Sequence, residues 1–358
     1  MKKIFLPLLA ILVIVLVLTS AQSAVQYAKD AMYLCCEMIV PTLFPFFICS
    51  GILIYSGFCE WLSKAFRFCM KPLFNVSPMG SSAFVLGIVS GYPLGAVTAG
   101  ELYKNSYITK TEAERLLAFC NNSGPLFILG SIGVAMYSQI KYGVILYATH
   151  IISALIVGII FRSYRYRDYT APKTIMTTPD RSAGEVFNIA LQTSIQNILT
   201  VCGAVILFSM ASRLFLDLIY LPPEIDAVLS GILEFVTGSV KISNLTLPVM
   251  RRLILTAVIV GFAGLSVHIQ VIAVIAKYEL SLLPYFIGKI LHGIIAGILT
   301  ALYFSKNPIT TAVMAPSMTK TLAASSAAEM VSAAIVVSLC IVFSVFYRIR
   351  HKQFAEQS

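Results

Sequence analysis

Four short runs of glycine, proline and small polar residues interrupt apolar sequence: Ser90-Gly91-Tyr92-Pro93, Asn121-Asn122-Ser123-Gly124-Pro125, Thr237-Gly238-Ser239 and Gly261-Phe262-Ala263-Gly264. A helix that stops and restarts exposes N–H groups at one end and C=O groups at the other. The N-terminal ends favour anions and the C-terminal ends cations. Asn121, Asn122 and Ser123 add donors and acceptors where Gly124 and Pro125 reopen a helix; Ser90 and Tyr92 do so beside Gly91 and Pro93, and Thr237 and Ser239 flank Gly238. The chemistry on offer is the binding of a small polar solute. A single break is explained as well by a kink packed on a neighbour; several breaks in a repeated order favour a site.

Further polar residues fall in apolar surroundings. His268 follows Gly264, with Gln270 beside it, and is a candidate solute contact. Asn188, Gln192 and Gln196 recur at four-residue spacing, so they share one helical face, joined by Asn197. Lipid penalises such a stripe, which is therefore expected to face the bundle interior, as solute contact or as glue between helices. Glu37 and Glu234 are the carboxylates expected at depth, candidates for a coupling proton or cation. Lys241 can attract a carboxylate or snorkel to the surface, whereas His150 and His292 read as packing residues. The eight cysteines and four histidines lack metal-ligand spacing. No Walker, HExxH or G-x-S-x-G pattern is present, so no catalytic residue, metal or cofactor is expected.

The elements that must hold these residues follow from composition. Hydrophobic residues make up 58% of the 358 and charged ones 12%, with mean hydropathy +0.87. Soluble domains run at about 45–50% and about 25%. The excess needs lipid as a second apolar solvent, which excludes a soluble enzyme, a secreted scaffold and a nucleic-acid binder. A net charge of +10 fits basic residues gathered at cytoplasmic ends. Candidate spans are Leu34–Phe58, Tyr142–Phe161, Ser194–Phe215, Leu283–Phe304 and Ala328–Tyr347. Ile4–Leu18, after Lys2 and Lys3, reads as an uncleaved first helix; a signal peptide cleaved within Ser20–Ala24 is the alternative. Cys59–Phe74 has the pattern of an interfacial amphipathic helix. Thr109–Arg115 reads as a water-exposed helix start, with Thr111 and Glu114 as a capping box.

The order of breaks repeats, a hairpin-like segment followed by a long helix that starts with Arg and unwinds. The expected fold is an all-α polytopic membrane protein of two inverted repeats, each with a re-entrant helical hairpin and an unwound transmembrane helix. Residues 1–30 form an N-terminal membrane helix and connector. Residues 31–161 form the first repeat, with hairpin 82–103 and broken helix 112–137. A basic cytoplasmic loop, 162–185, leads to the second repeat, 186–304, with hairpin 226–247 and broken helix 251–277. An extracytoplasmic loop, 305–327, precedes the last helix and basic tail, 328–358. With both termini cytoplasmic, most of the 26 lysines and arginines fall inside, while Lys241 and Lys289 have no assigned side.

The runs PTLFPFF (Pro41–Phe47), SGYPLGA (Ser90–Ala96), TKTEAERLLAFCNNSGPLFILGSIG (Thr109–Gly133) and GLSVHIQV (Gly264–Val271) carry a family resemblance. They resemble the YlbJ-like sporulation integral membrane proteins, which carry nucleoside-recognition or gate domains and are distantly similar to concentrative nucleoside transporters. The resemblance spans about Tyr33 to Phe346. It implies a role in endospore formation, in the mother-cell-derived outer forespore membrane, moving dipicolinic acid, a small aromatic dicarboxylate. Expected partners are this solute, the lipid bilayer, a coupling proton or cation, and a second copy of the chain in a homo-oligomer. Nucleoside or other metabolite transport, and a non-transporting structural role in spore formation, are the alternatives.

Overall fold

Two helix starts show how local sequence sets the elements. Ser182 and Glu185 form a reciprocal capping box at Ala183, and Thr109 and Glu112 form another at Lys110. In each, the hydroxyl accepts the third residue's N–H while the glutamate accepts the cap's own N–H. The pattern Ser/Thr-x-x-Glu occurs at two registers here, Thr109 to Glu112 and Thr111 to Glu114. The chain turns into the helix at the first, so the expected Thr111–Glu114 box does not form.

The computed structural model describes residues 2–165 and 181–309, which form helices and connecting turns. In chain order these are α1 (Lys2–Thr19), α2 (Ala21–Leu34), a π-helical turn (Cys35–Ile39), α3 (Val40–Tyr55) and α4 (Phe58–Cys69). There follow α5 (Ser81–Ser90), α6 (Leu94–Lys104), α7 (Lys110–Leu117), a π-helical segment (Leu126–Met136) and α8 (Ile140–Phe161). The remainder are α9 (Ala183–Leu216), α10 (Pro223–Leu233), α11 (Phe235–Ser243), α12 (Val249–Phe262), α13 (Gly264–Ile275) and α14 (Leu283–Lys306). The expected last span, Ala328–Tyr347, the loop 305–327 beyond residue 309 and most of the basic loop 162–185 lie outside the described residues.

Among the described residues, α8, α9, the α12–α13 pair over Val249–Ile275, and α14 are each long and apolar enough to cross a bilayer. The protein is an all-α, multi-pass membrane protein with lipid as its partner. α1 and α2 are bent by 110° and are long enough only together. The expected simple span Leu34–Phe58 is interrupted instead, by the π turn at Cys35–Ile39. Pro41 and Pro45 lack N–H groups, and the ladder shifts ahead of them so that Val40 donates to Cys35.

The α12–α13 span is the most interior, with 61% of its apolar window buried against 33% for α9. α12 packs on α14, α14 on α8, and α8 on the Leu126–Met136 segment. One face of α14 carries Tyr285, Lys289, His292, Ala296 and Thr300, all buried. The opposite face exposes Ile290, Ile294, Ile298 and Leu302, the lipid side. An aromatic core of Phe74, Phe84 and Phe119, with Phe74 stacked on Phe119 at 4.8 Å, supports α7 and its neighbours.

Two further expectations change. The start of α7 is buried, not water-exposed. Glu112 accepts from Ser77 N–H at 2.7 Å, and Glu114 from Ser281 N–H at 2.9 Å. Arg115 donates to the Asn75 and Tyr164 carbonyls at 2.7 and 2.8 Å. Neighbouring loops supply the partners that make burial of these charges tolerable. The amide stripe of α9 is also turned the other way, with Asn188, Gln192 and Gln196 exposed. The buried face is Val186, Ala190, Ser194 and Ile198, because Ala190 and Gly51 let α9 and α3 approach closely.

Candidate functional site

Three of the four breaks fall where the glycines and prolines place them. α5 ends at Ser90, and Gly91 follows with φ +83°. Gly91 is required twice, for its left-handed backbone and because a Cβ there would lie 3.0 Å from the Gly124 nitrogen. α7 ends at Leu117, the chain turns at Ala118–Cys120, is without regular structure through Asn121–Gly124, and resumes helix at Pro125. α12 stops at Ala263, φ +78°, and α13 starts at Gly264, φ +70°.

The remaining break is displaced. Thr237, Gly238 and Ser239 lie inside α11, and the interruption is at Glu234, which is extended with φ −144° and ψ 112°. Gly238 is small because α11 packs there on the Gly231 backbone of α10, where a side chain would collide. Glu234, fully buried, accepts from Val236 N–H at 3.0 Å and Thr237 N–H at 2.6 Å. The carboxylate thus caps α11 and neutralises the helix end that was expected to meet a solute.

Between the breaks lies a cavity of about 60 Å³, lined by Gly91, Tyr92, Ser123, Gly124, Phe127, Ser131, Phe235, Val236, Val267 and Gln270, with Ile39, Leu43, Val201 and Val205 on the far wall. By the same measure one water needs about 10–15 Å³, so it holds a few waters. Phe235 meets Phe127 at 5.1 Å and Tyr92 at 5.8 Å, both edge to face. Both sets of breaks therefore contribute, although Ser90, Asn121, Asn122, Gln192, Gln196, Thr237, Gly238, Ser239, Gly264 and His268 are not among the lining residues. Ser90 bonds Ser50 behind the wall, and Thr237 lies 3.4 Å from the Ser209 hydroxyl. Glu37 is exposed in the π turn, away from this cluster.

Behind Tyr92 is a buried polar cluster built on Lys289. Its Nζ donates to the Asn121 carbonyl at 3.1 Å, and lies 3.5 Å from both the Tyr92 hydroxyl and His292 Nδ1. Tyr92 Oη donates to the Val260 carbonyl at 2.9 Å, which leaves its lone pair for Lys289. Ser123 N–H donates to His150 Nε2 at 3.1 Å, so the His150 proton sits on Nδ1. That nitrogen has no partner. His292 Nε2 donates to the His150 carbonyl at 3.0 Å, and the two rings lie tilted with centroids 4.3 Å apart. Asn121 lies beside the Tyr285 hydroxyl, yet both its amide atoms are buried without a hydrogen bond. His268 joins through Nδ1, 2.8 Å from Tyr285 Oη, and its Nε2 is also unpartnered. Among the described residues no carboxylate pairs with Lys289, the ion pairs being Arg165–Glu114, Arg213–Asp30 and Lys241–Asp226.

Sequence reasoning placed Asn121, Asn122, Ser123, Gly91 and Tyr92 together but missed Lys289, His150, His292 and Tyr285. One signal was available, a lysine in the middle of an otherwise apolar span, with tyrosine four residues before it and histidine three after.

A bundle of broken and spanning helices around a buried polar centre defines a multi-pass membrane protein. The family model described as Gate, nucleoside recognition, matches residues 36–214, half of the chain, and the protein belongs to that family. The match contains Tyr92, Asn121–Ser123 and His150, whereas Glu234 and Lys289 lie beyond it. The chain is 29% identical over 321 residues, covering 80% of this chain and 79% of the relative, to the sporulation integral membrane protein YlbJ of Bacillus subtilis (strain 168). No solved structure matches it.

Proposed function

We propose that the protein carries a small organic anion across a membrane, with dipicolinate as the leading solute. One observation carries this reading. Lys289 is buried with no counter-ion among the described residues, beside the unpartnered amide of Asn121 and Nδ1–H of His150. Cations and unsatisfied donors out of water are costly, and a carboxylate answers both at once. The aromatic edges of Tyr92, Phe127 and Phe235 suit a flat ring in the adjoining cavity.

In this reading α5–α6 and α10–α11 are re-entrant hairpins, and the breaks at 118–125 and at Ala263 are unwound spans, in two inverted repeats. The reading includes the outer forespore membrane as location, supported by the similarity to a sporulation integral membrane protein, and cytoplasmic termini, supported by the placing of lysine and arginine. Tyr92 stands between the cavity and the Lys289 cluster, so a solute that reaches both displaces its ring. A nucleoside is the second reading, favoured by the family's description. Uptake of radiolabelled dipicolinate and of uridine into proteoliposomes separates them. Saturable dipicolinate uptake that is lost in Asn121→Ala/Ser123→Ala supports the proposal. Uptake of uridine alone overturns the solute, and uptake of neither by folded protein overturns transport of both.

A further inference from the structure

One side of α9 does not suit lipid. Asn188, Gln192, Gln196, Leu199, Gly203 and Leu207 follow three- and four-residue spacing, so they form a single stripe, and all six are exposed. A side chain added at Gly203 would meet nothing within 4 Å. The stripe runs at membrane depth. Gly51 packs on Ala190, and Cys35 Sγ lies 3.9 Å from the Cys202 carbonyl, so residues 190–202 of α9 run antiparallel to the uncharged stretch 39–51. The lipid face of α14 is by contrast apolar, with Ile290, Ile294, Ile298 and Leu302. Amides facing hydrocarbon are costly. Amides and glycine together are what another membrane helix packs on, since glycine admits close backbone approach and amides bond across the contact.

We propose that this stripe is the docking surface for the chain's own segment 328–347. Pattern, direction and reach favour that occupant over a second copy. Within the segment, Glu329, Ser332, Ala333, Cys340 and Ser344 fall on one helical face by spacing. Val331, Ile335, Leu339, Val342 and Phe346 fall on another, with Ser338. The small and polar face matches the glycine and amides of α9. Direction follows from the ends of the helices. Arg181, just before α9, lies 5.5 Å from the Tyr55 ring centre, and Tyr278, just before α14, bonds Glu101 close to Tyr55. α9 and α14 therefore start at the same end of the bundle, and α14 delivers the chain to the other. A segment crossing back from there runs antiparallel to α9. Reach is ample. α14 packs on α12 and α13 packs on α9, so one span separates them, about 20 Å at ordinary helix spacing. Residues 310–327, fully stretched, cover about 60 Å. A tethered segment also meets the stripe at an effective concentration that a separate copy does not reach. The docking does not depend on which solute the protein carries.

The test is photo-cross-linking of the full-length protein in its membrane. The probe p-benzoylphenylalanine replaces Gln196, Leu199 on the same stripe, or Ile298 on the lipid face of α14. Irradiation is expected to join the probes at positions 196 and 199 to peptides of 328–347 at monomer mass, and to give no such product from position 298. An adduct at dimer mass overturns the assignment in favour of a second copy. Adducts to lipid alone from both stripe positions overturn it and leave the face bare. The probe at position 199 replaces no amide, so a loss of packing through Gln196 does not decide the result. Gly203→Trp fills space that the described residues leave open, so it is expected to fold and to abolish the product from position 199. An undiminished product in that variant overturns close packing of the segment at Gly203.

Discussion

Replacing Lys289 by methionine sets stability against binding, because the two effects have opposite signs. In the empty protein Nζ makes one contact of ordinary length, 3.1 Å to the Asn121 carbonyl, and two at 3.5 Å. Losing them leaves a buried carbonyl short of a donor, at a cost of about 1–3 kcal/mol. Against that, methionine fills nearly the same volume and removes a desolvated polar head, whose burial costs about 1–3 kcal/mol. Lys289→Met is therefore expected to unfold in detergent at the same temperature as wild type or higher. In the solute complex the same change removes one partner of a buried charge pair, worth about 2–5 kcal/mol. Near the middle of that range, about 3 kcal/mol, Kd rises by about two orders of magnitude. Thermal unfolding monitored by tryptophan or thiol-reactive fluorescence gives the first quantity, and scintillation proximity binding of dipicolinate gives the second. A variant that unfolds well below wild type shows that Lys289 is structural. One that binds dipicolinate as tightly as wild type refutes the counter-ion argument outright.

Tyr92→Phe removes a hydroxyl that donates to Val260 and accepts from Lys289, so a loss of about 1–2 kcal/mol in thermal or denaturant unfolding is expected. Gly91→Ala must place a side chain at φ +83° and 3.0 Å from Gly124 N, and is expected to lower both folded yield and dipicolinate uptake more than Gly184→Ala, whose site is open. Glu234→Ala strips the cap from α11 and is expected to cost about 1–2 kcal/mol in unfolding, measured by thermal or denaturant titration. Arg115→Met uncovers the Asn75 and Tyr164 carbonyls beneath α7, so a loss of about 1–3 kcal/mol is expected, read as protease sensitivity of the α7 region in mild detergent.

Much of this molecule is written locally. Composition alone demands lipid, and Gly91, Gly124–Pro125 and Gly264 mark their breaks because backbone freedom and missing N–H groups act within a few residues. The break near Glu234 was misplaced by three to five residues for the same reason. Glycine at 238 satisfies helix-to-helix contact as readily as it breaks a helix, and the sequence does not distinguish the two uses. The exposed amides of α9 were misread because a stripe gives its own periodicity but not the direction it faces. That direction was decided by Ala190 meeting Gly51.

The candidate site divides along the same line. Asn121, Asn122, Ser123 and Tyr92 were legible because each belongs to a run whose local chemistry is unusual. Lys289, His150 and His292 sit on helices with ordinary spans, and their meaning depends on partners 142 to 197 residues away, Asn121, Tyr92 and each other. A sequence states that a lysine is present in an apolar helix. Only the packing of α14 against α8 and the neighbouring helix breaks decides that it is buried and that, among the described residues, no acid pairs with it. The energy of a buried polar group is set by neighbours in space, and here those neighbours come from distant parts of the chain.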